Sequence, residues 1–235
     1  DCLLSRGLGD VYKRQGYGYI GGIVGECNGT IEGTGELQNT GNIVSGIYDN
    51  YTGGIAGKLG DLGDLGDAAA LKVTGEVRNT AEVSGSSYTG GIIGCLASSS
   101  GDLIQIQAGS ILNTGKVTGS NNGNSIGGII GCIPGGAEIS TTTGDIRNTG
   151  AVQGPKTIGG VFGSCNSTTI TAAGDIVNAG EVASSRSGNE IGGIVGNLNE
   201  SQLIAVGGEI RNESNVTGAS AVGAVSYTHL TLPTN

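Results

Sequence analysis

Apolar and polar positions alternate along most of this chain in short runs. In Gly144-Asp145-Ile146-Arg147-Asn148, Ile146 and Asn148 share one parity, and Asp145 and Arg147 share the other. Residues two apart lie on one face of a strand, so this run predicts a half-buried strand with Ile146 and Asn148 turned inward. Thr149-Gly150 supplies a turn, and Val152 begins the next inward set. No long stretch carries the three-and-four spacing of an amphipathic helix. The pattern predicts an all-β fold.

The pattern is also periodic. A first box reads Gly21-Gly22-Ile23-Val24-Gly25, Gly53-Gly54-Ile55-Ala56-Gly57, Gly90-Gly91-Ile92-Ile93-Gly94, Gly127-Gly128-Ile129-Ile130-Gly131, Gly159-Gly160-Val161-Phe162-Gly163 and Gly192-Gly193-Ile194-Val195-Gly196. A decayed seventh start follows at Val222-Gly223-Ala224, and the starts lie 32, 37, 37, 32, 33 and 31 residues apart. A second box centres on Asn39, Asn79, Asn113, Asn148, Asn178 and Asn212. An apolar residue precedes each Asn by two positions (Leu37, Val77, Ile111, Ile146, Ile176, Ile210), and another follows four positions later (Ile43, Val83, Val117, Val152, Val182, Val216). Between the boxes runs a variable segment with its own apolar residues, such as Ile31, Val73, Ile104, Ile139, Ile170 and Ile204.

One such repeat buries little by itself, so neighbours must stack and share a core. Parallel strands ~4.7–4.9 Å apart place equivalent side chains in ladders. The expected architecture is a parallel β-helix (β-solenoid) of about six coils over residues 16–224, one repeat of 32 to 37 residues per coil, with about three short strands in each. Two shorter coils per repeat is the geometric alternative. A propeller blade needs four antiparallel strands and about 40 or more residues, which fits less well. The extra residues of the longer spacings fall between the boxes, as in Asp61-Leu62-Gly63-Asp64-Leu65-Gly66-Asp67, where a loop can bulge without breaking the stack.

The two ends depart from the pattern. Asp10 to Gln15 can be written as codons whose reverse complement, in a shifted frame, encodes Val225 to His229. Residues 1–15 and 225–235 therefore look like translated sequencing-adapter ends and stand outside the fold reasoning. They hold Cys2 and His229, the chain's single His.

Composition narrows the function classes. The net charge is −9, which argues against nucleic acid or an anionic membrane as partner, both being read through Lys/Arg clusters. No apolar run approaches the ~20 residues of a membrane helix. The 49 Gly are periodic and interleaved with Ile and Val, and with no Met, no Trp and one Phe the core must be thin and aliphatic. Without His between the ends, a Ser-His-Asp triad, a Cys-His pair and His-containing metal sites are excluded there. No catalytic constellation, cofactor motif or metal motif is evident.

The Gly-Gly-Ile-x-Gly start, the variable middle and the Asn-Thr-Gly-x-Val-x-Gly close resemble GLUG-motif repeats across nearly all of residues 16–224. Those occur in large surface proteins of gut and mucosal bacteria, including adhesin-like proteins and some IgA-cleaving peptidases. The resemblance implies an extracellular or cell-surface, non-catalytic, structural or adhesive role, with a host glycan or host protein as partner. The alternatives are an accessory region of a secreted peptidase or a polysaccharide-degrading β-helix. For the latter, the sparse Arg78, Arg147 and Arg211 sit beside acids, which disfavours an anionic substrate. Ice binding ranks last, since only Thr141-Thr142-Thr143 and Thr168-Thr169 approach regular Thr ranks.

Several side-chain files are candidates for chemistry. The six Asn are expected to form a structural ladder, amide on amide along the axis and to the turn backbone. Tyr19, Tyr51 and Tyr88 each stand two residues before a Gly-Gly and are a candidate ligand strip for glycan rings or a partner protein, against plain packing over a coil edge. Glu36, Glu76, Ser110, Asp145, Asp175 and Glu209 form an outward file, compensated by Arg where Arg is present. Its sharper reading is cation binding at Glu36 or Asp175. Asp61, Asp64 and Asp67 read as a solvated loop rather than a Ca²⁺ site. Cys27, Cys95, Cys132 and Cys165 follow a first-box Gly by one or two residues, suggesting one buried register of reduced thiols, with a Cys95–Cys132 disulfide geometrically open.

Overall fold

The structure is a computed structural model and describes residues 18–46, 51–60, 69–97, 103–120, 123–186, 190–218 and 222–223. The adapter-like ends (residues 1–15 and 225–235) and the Asp61, Asp64 and Asp67 segment lie outside the described residues.

The β-branched, Gly-punctuated sequence forms short strands, all paired in parallel, in a β-solenoid of about five turns. The fourth repeat is representative: Ser125–Gly127, Ile130–Ile133, Ala137–Thr141, Ile146–Asn148 and Val152–Gly154. A coil therefore holds five strand positions rather than the expected three, because each Gly or turn residue breaks the chain after three to five residues. In the second and third repeats two positions fuse into the ten-residue strands Ala70–Asn79 and Ile104–Asn113.

Equivalent strands stack into four sheets. Sheet I runs from Tyr19–Gly21 to Val222–Gly223, and sheet II from Val24–Cys27 to Val195–Asn199. Sheet III, ten-stranded, carries the variable segment and the strand ending in the box-two Asn; sheet IV runs from Ile43–Val44 to Val216–Thr217. Each strand pairs with its counterpart one repeat on: Ile111 with Ile146, Ile146 with Ile176, and Ile176 with Ile210. One repeat thus makes one coil.

The interior has two apolar compartments. The larger lies between sheets II and III and includes Ile55, Leu59, Leu71, Ile111, Ile139 and Phe162. The narrower lies between sheets I and IV, with Val117, Ile126, Val152, Ile158, Val182 and Ile191. Fully burying one such side chain is worth about 1.5–3 kcal/mol, so each coil gains stability only once its neighbours cover it.

The variable segment aligns differently from its apolar residues as first read. The inward file is Ile31, Leu71, Ile106, Ile139, Ile170 and Leu203. Val73 and Ile104 are buried beside this file, whereas Ile204 points outward at 39% exposure. Loop lengths change from coil to coil, and a shift of one residue reverses the face.

Candidate functional faces

The box-two Asn residues form a continuous amide ladder. From Asn39 to Asn178 each Nδ2 donates one hydrogen to the carbonyl two residues on and the other to the Oδ1 of the next Asn, and Asn212 ends the file by donating to Ser214 O. Asn113 donates to Gly115 O and to Asn148 Oδ1, both at 2.8 Å, and Asn79 donates to Asn113 Oδ1 at 2.8 Å. The same bonds join Asn39 to Asn79 at 2.7 Å, Asn148 to Asn178 at 2.9 Å and Asn178 to Asn212 at 2.8 Å. Asn79, Asn113, Asn148 and Asn178 are fully buried, where an unmet amide would be costly.

The ladder explains the first box. A Cβ on Gly91 would sit 2.4 Å from Asn113 Cγ and 2.1 Å from Gly128 O. Gly22 stands in the same relation to Asn39, Gly128 to Asn148, and Gly160 to Asn178. The second Gly of box one is thus the space into which the Asn of box two packs. This contact closes the waist between the two compartments.

Tyr19, Tyr51 and Tyr88 occupy one register of sheet I. Their rings stack on one another with centroids 5.3 and 5.2 Å apart and planes 11° and 14° from parallel. Both faces of Tyr51 are therefore covered, and the stack offers solvent chiefly its edges; Tyr19 is the most exposed, at 37%. Burial, with the neighbouring Cys and Tyr groups, pushes the Tyr51 hydroxyl up to about 12. Burial also raises Tyr88.

The rings cover a file of which the sequence showed only Cys95 and Cys132. In sheet II, Glu26, Lys58, Cys95, Cys132, Ser164 and Asn197 share a register. Lys58 is 1% exposed, and its ammonium pairs with Glu26 at 2.7 Å and lies 5.0 Å from the Tyr19 ring centroid. A lone Lys one residue after a box Gly gives little sequence signal for such burial.

The cysteines fall into two registers, not one. Cys27 and Cys165 stand two residues after a box Gly, align with Leu59, Leu96, Ile133 and Leu198, and face the larger compartment. Cys95 and Cys132 stand one residue after the Gly and pair directly with each other. Strand parity separates the two sets. Cys95, Cys132 and Cys165 are free, whereas Cys27 is disulfide-bonded and corrects the expectation that all four are reduced.

The acidic file is engaged within the stack. Asp145 Oδ1 accepts the Asp175 N–H at 2.9 Å, and Asp175 Oδ1 accepts the Glu209 N–H at 2.8 Å. The Arg211 guanidinium reaches back one coil to Asp175 and also meets Glu213. Asp175 is therefore not the Arg-free carboxylate that the cation reading required. The Glu209 N–H, followed by Arg211, holds the Asp175 carboxyl below its ordinary value, and Arg211 does the same for Glu213. Arg78 lies 3.6 Å from Glu76. Among the described residues no group of three or more His, Cys, Asp or Glu side chains is placed to hold a metal ion.

Inward on sheet I, Thr52 and Thr89 take places held elsewhere by Ile20, Ile126, Ile158 and Ile191. Both are fully buried, and neither hydroxyl has a hydrogen-bond partner among the described residues. Their position in the Ile column was readable from the register, but not their isolation. The chain matches no family model, no curated protein and no solved structure.

Proposed function

We propose that this chain is the non-catalytic repeat region of a bacterial cell-surface or secreted protein, acting as a stalk or adhesive surface. The observation that carries the reading is the use of the repeated polar side chains. The Asn file bonds to itself, and Asp145 and Asp175 bond to the next coil's backbone. Residues recurring at every coil serve the stack, so binding is spread over the outward faces rather than gathered in one pocket. The likeness of the two boxes to GLUG-motif repeats points the same way.

Within this reading the Tyr19, Tyr51 and Tyr88 stack is the candidate ligand strip. Its hydroxyl-bearing edges, more than its ring faces, would meet a host glycan or host protein. The full chain on inert beads is tested against a panel of mucin-type glycans and against host-cell surfaces. Retention that weakens when all three Tyr become Phe, which keeps the stack and removes the hydroxyls, supports the strip. Absence of retention on every surface, or release of sugar from a polysaccharide by the purified chain, overturns the proposal.

A further inference from the structure

Cys95 and Cys132 lie opposite each other on Ile93–Leu96 and Ile130–Ile133, neighbouring strands of sheet II in the third and fourth repeats. Parallel neighbours lie ~4.7–4.9 Å apart, inside the Cα separation of roughly 4.4–6.8 Å that a disulfide spans. Register and parity turn both side chains to the same face, and both thiols are free. Cys95 is buried, whereas Cys132 is partly exposed.

We propose that Cys95 and Cys132 are a redox-responsive pair that closes into a disulfide between consecutive coils, with a small-molecule disulfide as oxidant. The Cys95 thiol donates toward the Cys132 sulfur, which lowers Cys132 below the ordinary thiol range and raises Cys95. Cys132 is thus the more accessible sulfur and the one that more readily gives up its proton. Its thiolate attacks one sulfur of the oxidant, forming a mixed disulfide and expelling the first small thiolate. Cys95 then transfers its proton to that thiolate and attacks the Cys132 sulfur, expelling the second. Two protein thiols and one small disulfide become one protein disulfide and two small thiols; the oxidant takes up both electrons. The neighbouring ammonium of Lys58, opposite Cys95 in the same register, favours the Cys95 thiolate during the second step.

Cys165 supplies an internal comparison. It faces the larger compartment, is fully buried, and burial pushes its thiol up. A thiol so placed should stay reduced while the pair reacts.

The test is incubation of the full chain with oxidised glutathione, then peptide mapping without reduction, and a melting curve. The expected product links the Cys95 and Cys132 peptides, with Cys165 still open to alkylation after unfolding. The linked chain should melt about 8–15 °C higher, the combined result of loop closure and the size of the chain. Cys95→Ser and Cys132→Ser, each checked for native circular dichroism, should both lose that shift. A stable glutathione adduct on Cys132 without the link, three unreacted thiols, or an equal melting shift in Cys95→Ser would each overturn the proposal.

Discussion

Removing one rung of the amide ladder should cost far more than removing one side chain usually does. In Asn113→Ala the Asn79 Nδ2–H loses its acceptor, and Asn148 Oδ1 and Gly115 O lose a donor. Asn113 is 0% accessible to solvent. Leaving a buried polar group unmet costs about 1–3 kcal/mol, so three such groups set the loss at no less than about 3 kcal/mol. For a chain of this size that is a fall of at least roughly 6 °C in melting temperature. The assay is urea unfolding followed by far-ultraviolet circular dichroism, with Asn212→Ala as the comparison. Asn212 is only partly buried, so water replaces its partners and the loss should stay near 1 kcal/mol. A loss below about 1 kcal/mol for Asn113→Ala, or equal losses at the two positions, would refute the reasoning.

Three further predictions follow from the same geometry. Gly91→Ala drives a Cβ onto Gly128 O and Asn113 Cγ and should cost about 3 kcal/mol, the upper end of overpacking; Gly33→Ala, with nothing within 4 Å, should leave urea unfolding within about 0.5 kcal/mol of the parent. Thr89→Val removes an unpartnered buried hydroxyl at nearly constant volume, so the melting temperature should rise by an amount equivalent to about 1 kcal/mol; a fall would mean the hydroxyl is bonded. Tyr51 keeps its proton more tightly in the folded chain, so stability is complete below the ordinary value of 10.0 and is lost as pH rises toward about 12. Absorbance titration of tyrosinate should show that late ionisation vanish in Tyr51→Phe; ionisation of every Tyr near 10 would contradict it.

Much of this architecture is written locally. The Ile-x-Asn parity, the four-residue step to Val152 and the regular return of both boxes define the box-two strands, their inward faces and the repeat period, whereas one coil per repeat and five strand positions follow from the pairing. What sequence reading missed depends on contacts across the coil. Gly91 and Asn113 are 22 positions apart, and nothing in either box alone says that one is the cavity for the other. The two cysteine registers were accessible from parity, since Cys95 and Cys165 differ by one residue after the Gly, a step that reverses the face. The pairing of Arg211 with Asp175 was not, because it joins different coils and depends on side-chain reach.

The central claim is that each repeat closes one coil, and a single distance tests it. Glu32 and Ile204 occupy the same outward register of sheet III, in the first and sixth coils. Five parallel spacings separate them, which predicts about 24 Å. Spin labels attached there through bio-orthogonal amino acids, leaving the cysteines untouched, allow the distance to be read by pulsed electron resonance. A narrow distribution centred near 24 Å, allowing for label length, is the expected result. A centre near 48 Å, as two coils per repeat would give, or a broad featureless distribution, would contradict the account.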